Sequence, residues 1–235
     1  MQLIRDGLIG AWQLLLQRDP LVFDAALRSF WISFLAVSIA ACIGLPVGWY
    51  LARRNFIFHR LVVIAFRTGM SVPTVLIGLV CFALFSRRGP LGPMELLYTP
   101  TAIVVGEFFL ALPIITSWVY STLSSQDPRI RETAWTLGAS PIRQAITEIR
   151  EARAGVTLAI LTAFSRCFTE LGIAMMVGGN LKFRTRTLTT ATALETTKGE
   201  FERGIAMSLI LLAIALLVTF IIASLGAKHG EGDAC

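Results

Sequence analysis

The chain has 235 residues, of which 55% are hydrophobic and only 15% are charged, and its mean hydropathy is +0.70. So few charged side chains cannot cover a water-exposed surface, so the composition excludes an ordinary soluble domain and predicts an integral membrane protein. The net charge of +6 comes from basic residues that are spread along the chain, which is typical of membrane loops and does not indicate nucleic acid binding.

Four apolar stretches and one interrupted stretch are each long enough to cross about 30 Å of hydrocarbon as helices that rise about 1.5 Å per residue. Their apolar residues are continuous and do not alternate with polar ones, which favours helices over a β-barrel. The predicted spans are Phe30 to Leu51, Leu61 to Phe85, Thr101 to Leu123, Gly155 to Val177 and Ile205 to Leu225. The sequence therefore predicts an all-α, polytopic membrane protein of about five transmembrane helices, which forms one domain of residues 1–235.

The two ends of the chain are predicted to lie outside the hydrocarbon. Gly7 to Gln17 is apolar but too short to cross, and the flanking Arg5 and Arg18 favour an N-terminal segment, residues 1–25, that lies along the interface. Residues 226–235 form a polar C-terminal tail. The four cysteines match no metal-ligand spacing and no cofactor motif is present, so we predict neither a metal nor a cofactor.

No catalytic constellation is recognisable in the sequence. His59 and His229 are isolated, and no pair of carboxylates has metal-ligand spacing. The chain also lacks the Gly-x-x-x-x-Gly-Lys run that cradles nucleotide phosphates. We therefore predict that the protein is not an enzyme and that any ATP it uses is hydrolysed by another chain.

The distribution of positive charge does not decide the orientation in the membrane. Five spans place the two ends on opposite sides, and the basic residues are divided almost equally between the two sets of loops. If the loops after the first and third spans are cytoplasmic, the outer face carries Arg87, Arg88, Lys182, Arg184 and Arg186. Such a surface would concentrate an anion at a pore mouth, or its residues would instead contact lipid headgroups or acidic residues of a partner protein.

The longest polar segment, residues 124–154, predicts two short helices that stand outside the bilayer. Asp127 and Pro128 form a helix-start signal, and apolar residues recur at helical spacing from Ile130 onward. Gly138, followed by a proline three residues later, marks a turn between the helices. This elbow is either a handle by which another protein moves the membrane helices or a solvated connector.

The run Glu132-Thr133-Ala134-Trp135-Thr136-Leu137-Gly138 resembles the EAA loop of the permease subunits of ATP-binding-cassette importers. Thr133 stands where that family usually has alanine. The resemblance implies that the elbow is cytoplasmic and docks into a groove of a separate ATPase subunit. It assigns the docking to Glu132, Thr133, Ala134, Leu137 and Gly138, and it implies that the N-terminus is outside and the C-terminus inside.

The resemblance covers most of the chain, from Val22 to Val218, and is closest to the tungstate permeases within the molybdate, tungstate and sulfate branch. The similar runs are Ser86 to Gly92, Leu97 to Ala102, Ala111 to Ile114, Glu170 to Asn180, Thr187 to Ala191 and Ala193 to Gly199. It implies a subunit of a bacterial or archaeal inner membrane that passes tungstate by alternating access. The implied partners are a second copy of the chain, ATPase subunits, an extracytoplasmic oxyanion-binding protein and the lipid bilayer. Molybdate or sulfate as cargo, or an anion channel or exchanger that works without ATP, are the alternatives.

The segment after the elbow contains the candidate gate and pathway residues. The resemblance assigns this role to Glu170, Gly172, Gly178, Gly179 and Asn180. The paired glycines also indicate the end of the fourth helix, because glycine adopts backbone angles that other residues avoid. The threonine-rich stretch that follows, residues 187–197, is either a re-entrant half-helix whose hydroxyl groups bind an oxyanion or an ordinary interfacial helix.

Charged residues inside the predicted spans are costly and therefore candidates for a role. Arg67 lies near one end of its span, where its side chain can reach the interface, and we assign it no function. Arg166 and Glu170 are one helical turn apart near the middle of the fourth span, and Glu107 lies in the third. Arg166 is either half of a structural ion pair with Glu170 or Glu107, or a charge-selective element of an anion pathway.

Overall fold

The computed structural model describes residues 8–9, 12–13, 16–17 and 19–230, and its regular structure is entirely helical, as the sequence predicts. Ten α-helices follow one another between residues 20 and 230. They are α1 (Pro20–Arg53), α2 (His59–Gly69), α3 (Thr74–Phe85), α4 (Pro100–Ser124), α5 (Pro128–Thr136), α6 (Pro141–Glu151), α7 (Arg153–Phe168), α8 (Gly172–Gly178), α9 (Leu188–Lys198) and α10 (Phe201–Gly230). One 3₁₀ turn, Gly92–Met94, precedes α4.

Three helices are long and apolar enough to cross a membrane alone: α1, α4 and the Phe201–Val218 part of α10. They correspond to the first, third and fifth predicted spans. α1 begins earlier than predicted, inside the segment expected to lie along the interface, because the Asp19 carboxylate accepts hydrogen bonds from the backbone at the helix start and Pro20 occupies the first position. α10 likewise continues to residue 230, into the predicted tail. Residues 1–7, 10–11, 14–15 and 18 of the predicted interfacial segment, and residues 231–235, lie outside the described residues.

The second and fourth predicted spans are each divided between two helices that meet at a bend, whereas the sequence predicts one interrupted stretch. α2 and α3 meet at an angle of 99°, and α7 and α8 meet at 56°. Pro73 caps the start of α3 and has no N–H to continue the preceding helix. Between α7 and α8, the chain leaves the helix at Thr169 and restarts at Gly172. The described residues therefore form up to five spans if each bent pair counts as one.

α4 is the central helix. Its contact with α1 is the most extensive contact between any two described helices. Two glycines of α1 make this close approach possible. A Cβ atom at Gly48 would lie 2.8 Å from Val119 Cγ1 and 3.0 Å from the Thr116 carbonyl oxygen, and one at Gly44 would lie 3.0 Å from Ile115 Cγ2. Small residues let helix backbones approach inside a membrane, where packing replaces the hydrophobic effect as the main attraction between helices. The pair forms the frame against which the bent helices are arranged.

We predict that Gly48→Val lowers the thermal stability of the detergent-purified protein, because the added carbons overlap Val119 and force α1 away from α4. Overpacking of this kind costs about 1–3 kcal/mol. Cys42→Val introduces the same residue, valine, at an exposed position of the same helix and is the matched control. Equal melting temperatures for the two variants would contradict the prediction.

Candidate functional site

The break between α7 and α8 is organised by the carboxylate of Glu170. One oxygen, Oε1, accepts hydrogen bonds from the backbone N–H groups of Gly172 at 2.7 Å and Ile173 at 3.3 Å. The other, Oε2, lies 3.0 Å from Arg166 Nη1. Glu170 is buried, with 4% of its surface exposed. The predicted pair of Arg166 and Glu170 therefore forms, and its acidic member also caps α8.

Arg166 differs from its partner because 47% of its side chain is exposed, although it lies inside a bent span. An exposed charge at this depth is costly against lipid and is normally directed to the bundle interior or to a water-filled cavity. Thr162 and Thr169, which are four and three residues from it along the chain, are also partly or fully exposed. This polar face of α7 is the candidate lining of an aqueous pathway.

Glu107 does not pair with Arg166 in the structure, which leaves Glu170 as the partner of that arginine. Glu107 lies on α4 with 2% of its surface exposed, and a hydrogen bond from Ser33 reaches its side chain. Its second oxygen, Oε2, has no hydrogen-bond partner among the described residues. Its backbone oxygen accepts a hydrogen bond from the thiol of Cys167 at 3.6 Å. Glu107 is thus a buried group of the α4 and α7 contact, away from the exposed face of Arg166.

The candidate gate glycines are contact and turn positions. A Cβ atom at Gly172 would lie 3.2 Å from Thr74 Oγ1, so the start of α8 touches the start of α3 and the two helix breaks meet. Gly178 is buried, and a Cβ there would lie 2.7 Å from Ile103 of α4. Gly179 has φ +67°, in the left-handed region that favours glycine, and a Cβ would overlap the Tyr98 ring.

Asn180 belongs to a buried polar network that fixes the turn after α8. Its side-chain amide donates to the Thr190 carbonyl at 3.2 Å, and its side-chain oxygen accepts from Arg186 Nε at 3.1 Å. Arg186 lies 3.6 Å from Glu195, which also pairs with Lys198 at 3.3 Å. Of the predicted basic outer surface, Arg186 is therefore buried in ion pairs. The exposed basic residues of that set are Arg87, Arg88, Lys182 and Arg184.

The threonines around the start of α9 form hydrogen bonds within the protein, which argues against the alternative in which their hydroxyl groups bind an oxyanion. Thr185, Thr187, Thr189 and Thr190 are all buried. Thr189 donates to the Glu170 carbonyl at 2.9 Å, and Thr187 and Thr190 form a reciprocal capping box at the start of α9. Since α9 packs on α10 and on the start of α1, these four buried hydroxyl groups anchor the start of the helix and do not line an open cavity.

The predicted elbow is formed by α5 and α6. Asp127 caps α5 through the backbone N–H of Arg129, and Ser140 caps α6 through that of Arg143. Gly138 has φ +74°, and a Cβ atom there would meet no atom within 4 Å. Glycine is thus favoured at this turn by backbone conformation and not by lack of space.

The outer surface of the elbow is unusually apolar. Trp135, Leu137 and Ile142 expose 71%, 80% and 75% of their surfaces. Of the predicted docking residues, Glu132, Thr133, Leu137 and Gly138 are exposed, whereas Ala134 is buried at 8%. Exposed apolar side chains clustered on a polar element mark a site of interaction with another protein.

Glu148 of α6 is a buried carboxylate that the sequence analysis did not single out. It accepts hydrogen bonds from Trp49 and Arg53 at the end of α1. A signal for it was present, because Glu148 follows Ile142 and Ala145 at three-residue intervals and so falls on the apolar face of α6.

Comparison with known proteins gives one family for this architecture. Residues 44–229 match the family described as binding-protein-dependent transport system inner membrane component. The tungstate uptake system permease protein TupB of Peptoclostridium acidaminophilum is 38% identical over 225 residues, which cover 96% of this chain and 99% of that protein. A probable anion ABC transporter permease protein of Haloferax volcanii is 40% identical over 208 residues, which cover 86% and 88% of the two chains.

A solved structure supports the same fold. A chain of the MetNI methionine ABC transporter, in an inward facing conformation, aligns with a TM-score of 0.67 and 19% identity over 87% of this chain and 96% of that one. At this identity the similarity concerns the arrangement of the helices alone.

We predict that Glu170→Ala destabilises the protein by about 1–3 kcal/mol, because it removes the acceptor for two backbone N–H groups at the helix break and leaves the half-exposed Arg166 without its partner. The measurement is thermal unfolding in detergent. Glu202→Ala, at an exposed position in the first turn of α10, should leave the melting temperature near that of the native protein. If the two variants unfold together, Glu170 does not hold the break.

Proposed function

Because the chain belongs to the family of binding-protein-dependent transport system inner membrane components, we propose that it is the permease subunit of an ATP-binding-cassette importer for tungstate. The observation that supports tungstate as the cargo is the similarity to a tungstate uptake permease over nearly the whole of both chains. Molybdate and sulfate are chemically similar tetrahedral dianions. The selection between tungstate and molybdate would reside in the binding protein that delivers the anion.

We assign the elbow to the cytoplasmic side and to the ATPase subunit. Its exposed Trp135, Leu137 and Ile142 offer an apolar docking surface, and the chain itself has no phosphate-cradling motif. This assignment places the N-terminus outside and the C-terminus inside. The exposed basic residues on the opposite face would then meet the binding protein and attract its anionic cargo.

A second copy of the chain would complete the pathway. Up to five spans are too few to enclose a channel, and the exposed Arg166 needs water or protein beside it. Pairing two copies through this side would place two arginines along one central path. Each guanidinium has donors beyond the one directed at Glu170, and these could bind an oxyanion in passing.

The connection between the elbow and the pathway is short. α6 ends at Glu151 and α7 begins at Arg153, so a displacement of the elbow is applied directly to the helix that carries Arg166. The other end of α7 reaches the break at Glu170, where α8 touches α3 beside Thr74. Movement of one bent pair therefore changes the position of the other. Such paired movement suits alternating access, with Glu170 and Gly172 at the hinge and Gly178 to Asn180 fixing the outer turn.

We predict that Arg166→Gln accumulates in the membrane at the native level but slows tungstate uptake about tenfold or more. Glutamine can still donate to Glu170, whereas the charge that assists hydrogen bonding to the anion, worth about 1.5–3 kcal/mol, is lost. Arg166→Lys keeps the charge and should retain more uptake. A variant that fails to accumulate would instead identify the ion pair as structural.

The cargo and the coupling are tested together by measuring cellular tungsten and molybdenum by mass spectrometry. Cells that lack this protein are grown at very low oxyanion supply and compared with cells that carry the native form, Gly138→Val or Gly138→Asn. We expect native protein and the asparagine variant to restore tungsten, because asparagine tolerates the left-handed conformation that valine does not.

The other outcomes are equally informative. If molybdenum alone were lost without the protein and recovered with it, the cargo would be molybdate, and the assignment as an importer subunit would stand. No change in either metal would contradict import of tungstate or molybdate, and full recovery by Gly138→Val would contradict coupling through the elbow.

A further inference from the structure

Glu148 joins the elbow to the end of the first membrane helix. One of its carboxylate oxygens, Oε2, accepts hydrogen bonds from Trp49 Nε1 at 2.7 Å and from Arg53 Nε at 2.8 Å. Glu148 has 1% of its surface exposed, and the Arg53 side chain 14%. A carboxylate, a guanidinium and an indole N–H therefore meet in a buried contact between α6 and the last turns of α1.

A third element takes part in this contact. The Arg53 guanidinium also donates through Nη2 to Gln126 Oε1 at 3.1 Å. The Gln126 amide in turn donates to the backbone oxygen of Glu148 at 3.2 Å. Gln126 lies two residues beyond α4. The ring of Arg53, Glu148 and Gln126 thus ties α6 to the ends of both helices that form the frame of the fold.

Few other contacts connect α6 to these helices. Its main backbone contacts with other described helices are with its chain neighbours α5 and α7, and these too are few. Between α6 and α1 there is an open apolar groove, which is lined by Leu45, Pro46 and Trp49 on one side and by residues from Pro141 to Ile149 on the other. The hydrogen-bonded ring is the part of this interface in which directional contacts fix the position of α6.

The ring also has the means to rearrange without breaking. Glu148 Oε1 is buried and has no hydrogen-bond partner among the described residues. Arginine presents a planar fork that can bind both oxygens of one carboxylate. A small shift of α6 would let Arg53 exchange Gln126 for the second oxygen of Glu148, so the same three residues can form two arrangements.

We propose that this ring transmits movement of the elbow to α1 and α4, with Glu148 and Arg53 as the positioning residues. The inference rests on the proposed function and deepens it, because the chain connection from α6 leads to α7 and not directly to α1 or α4. A purely structural role, in which the ring holds the elbow in shape, predicts a different result when transport and ATP hydrolysis are measured separately.

The test uses the permease assembled with its ATPase subunit in proteoliposomes, supplied with the binding protein and tungstate. Glu148→Gln removes the charge and keeps an acceptor, whereas Arg53→Lys keeps the charge and removes the fork. We expect both variants to retain ATP hydrolysis within about twofold of native, while tungstate transported per ATP hydrolysed falls about tenfold. Glu151→Gln and Arg54→Lys, at exposed neighbouring positions, are the matched controls and should keep the native ratio.

The inference is overturned if both variants keep the native ratio of transport to hydrolysis. It is also overturned if neither variant retains the ATPase subunit, since the ring would then serve only to shape the elbow. Failure of the native complex to move tungstate with ATP would count against the proposed function itself and is seen before any variant is compared.

Discussion

The structure depends on one constraint: a backbone that crosses hydrocarbon has to bond its own polar groups, and it can do so unaided only while it remains helical. Where the helices break, side chains supply the missing partners. Glu170 accepts from two N–H groups at the start of α8, and the Thr185 hydroxyl bonds the Gly178 carbonyl and the Leu181 N–H after its end. The Ser29 hydroxyl accepts from the N–H of Leu188 at the start of α9.

This constraint changes how the polar residues of the membrane region are understood. A buried threonine, asparagine or glutamate in such a chain resembles a binding group in the sequence, yet most of those described here complete the backbone bonding of a neighbouring segment. Arg166 is different, because its partner is buried and its own side chain is half exposed. Exposure therefore separates the residue that can meet a passing anion from those that hold the helices in place.

The parts of the fold that local signals specify were predictable from the sequence. Continuous apolar length identified α1, α4 and α10, and the helix start at Asp127 and Pro128 with the turn at Gly138 identified the elbow. The positions of the helix breaks were not predicted, because mean hydropathy does not register a change of direction. The ring around Glu148 and the network around Asn180 join residues far apart in the chain, and their pairing is decided by tertiary packing that one sequence does not reveal.

The 99° bend between α2 and α3 also concerns the lipids around the protein. At about 1.5 Å per residue, the 25 residues of α4 extend for about 37 Å, whereas the 11 and 12 residues of α2 and α3 extend for only about 16 and 18 Å and cannot both stand upright. Beside this pair the apolar belt is shorter than beside α4. A bilayer in contact with this pair would be thinner than beside α4, and replacing the lipid there by another protein surface would remove this hydrophobic mismatch.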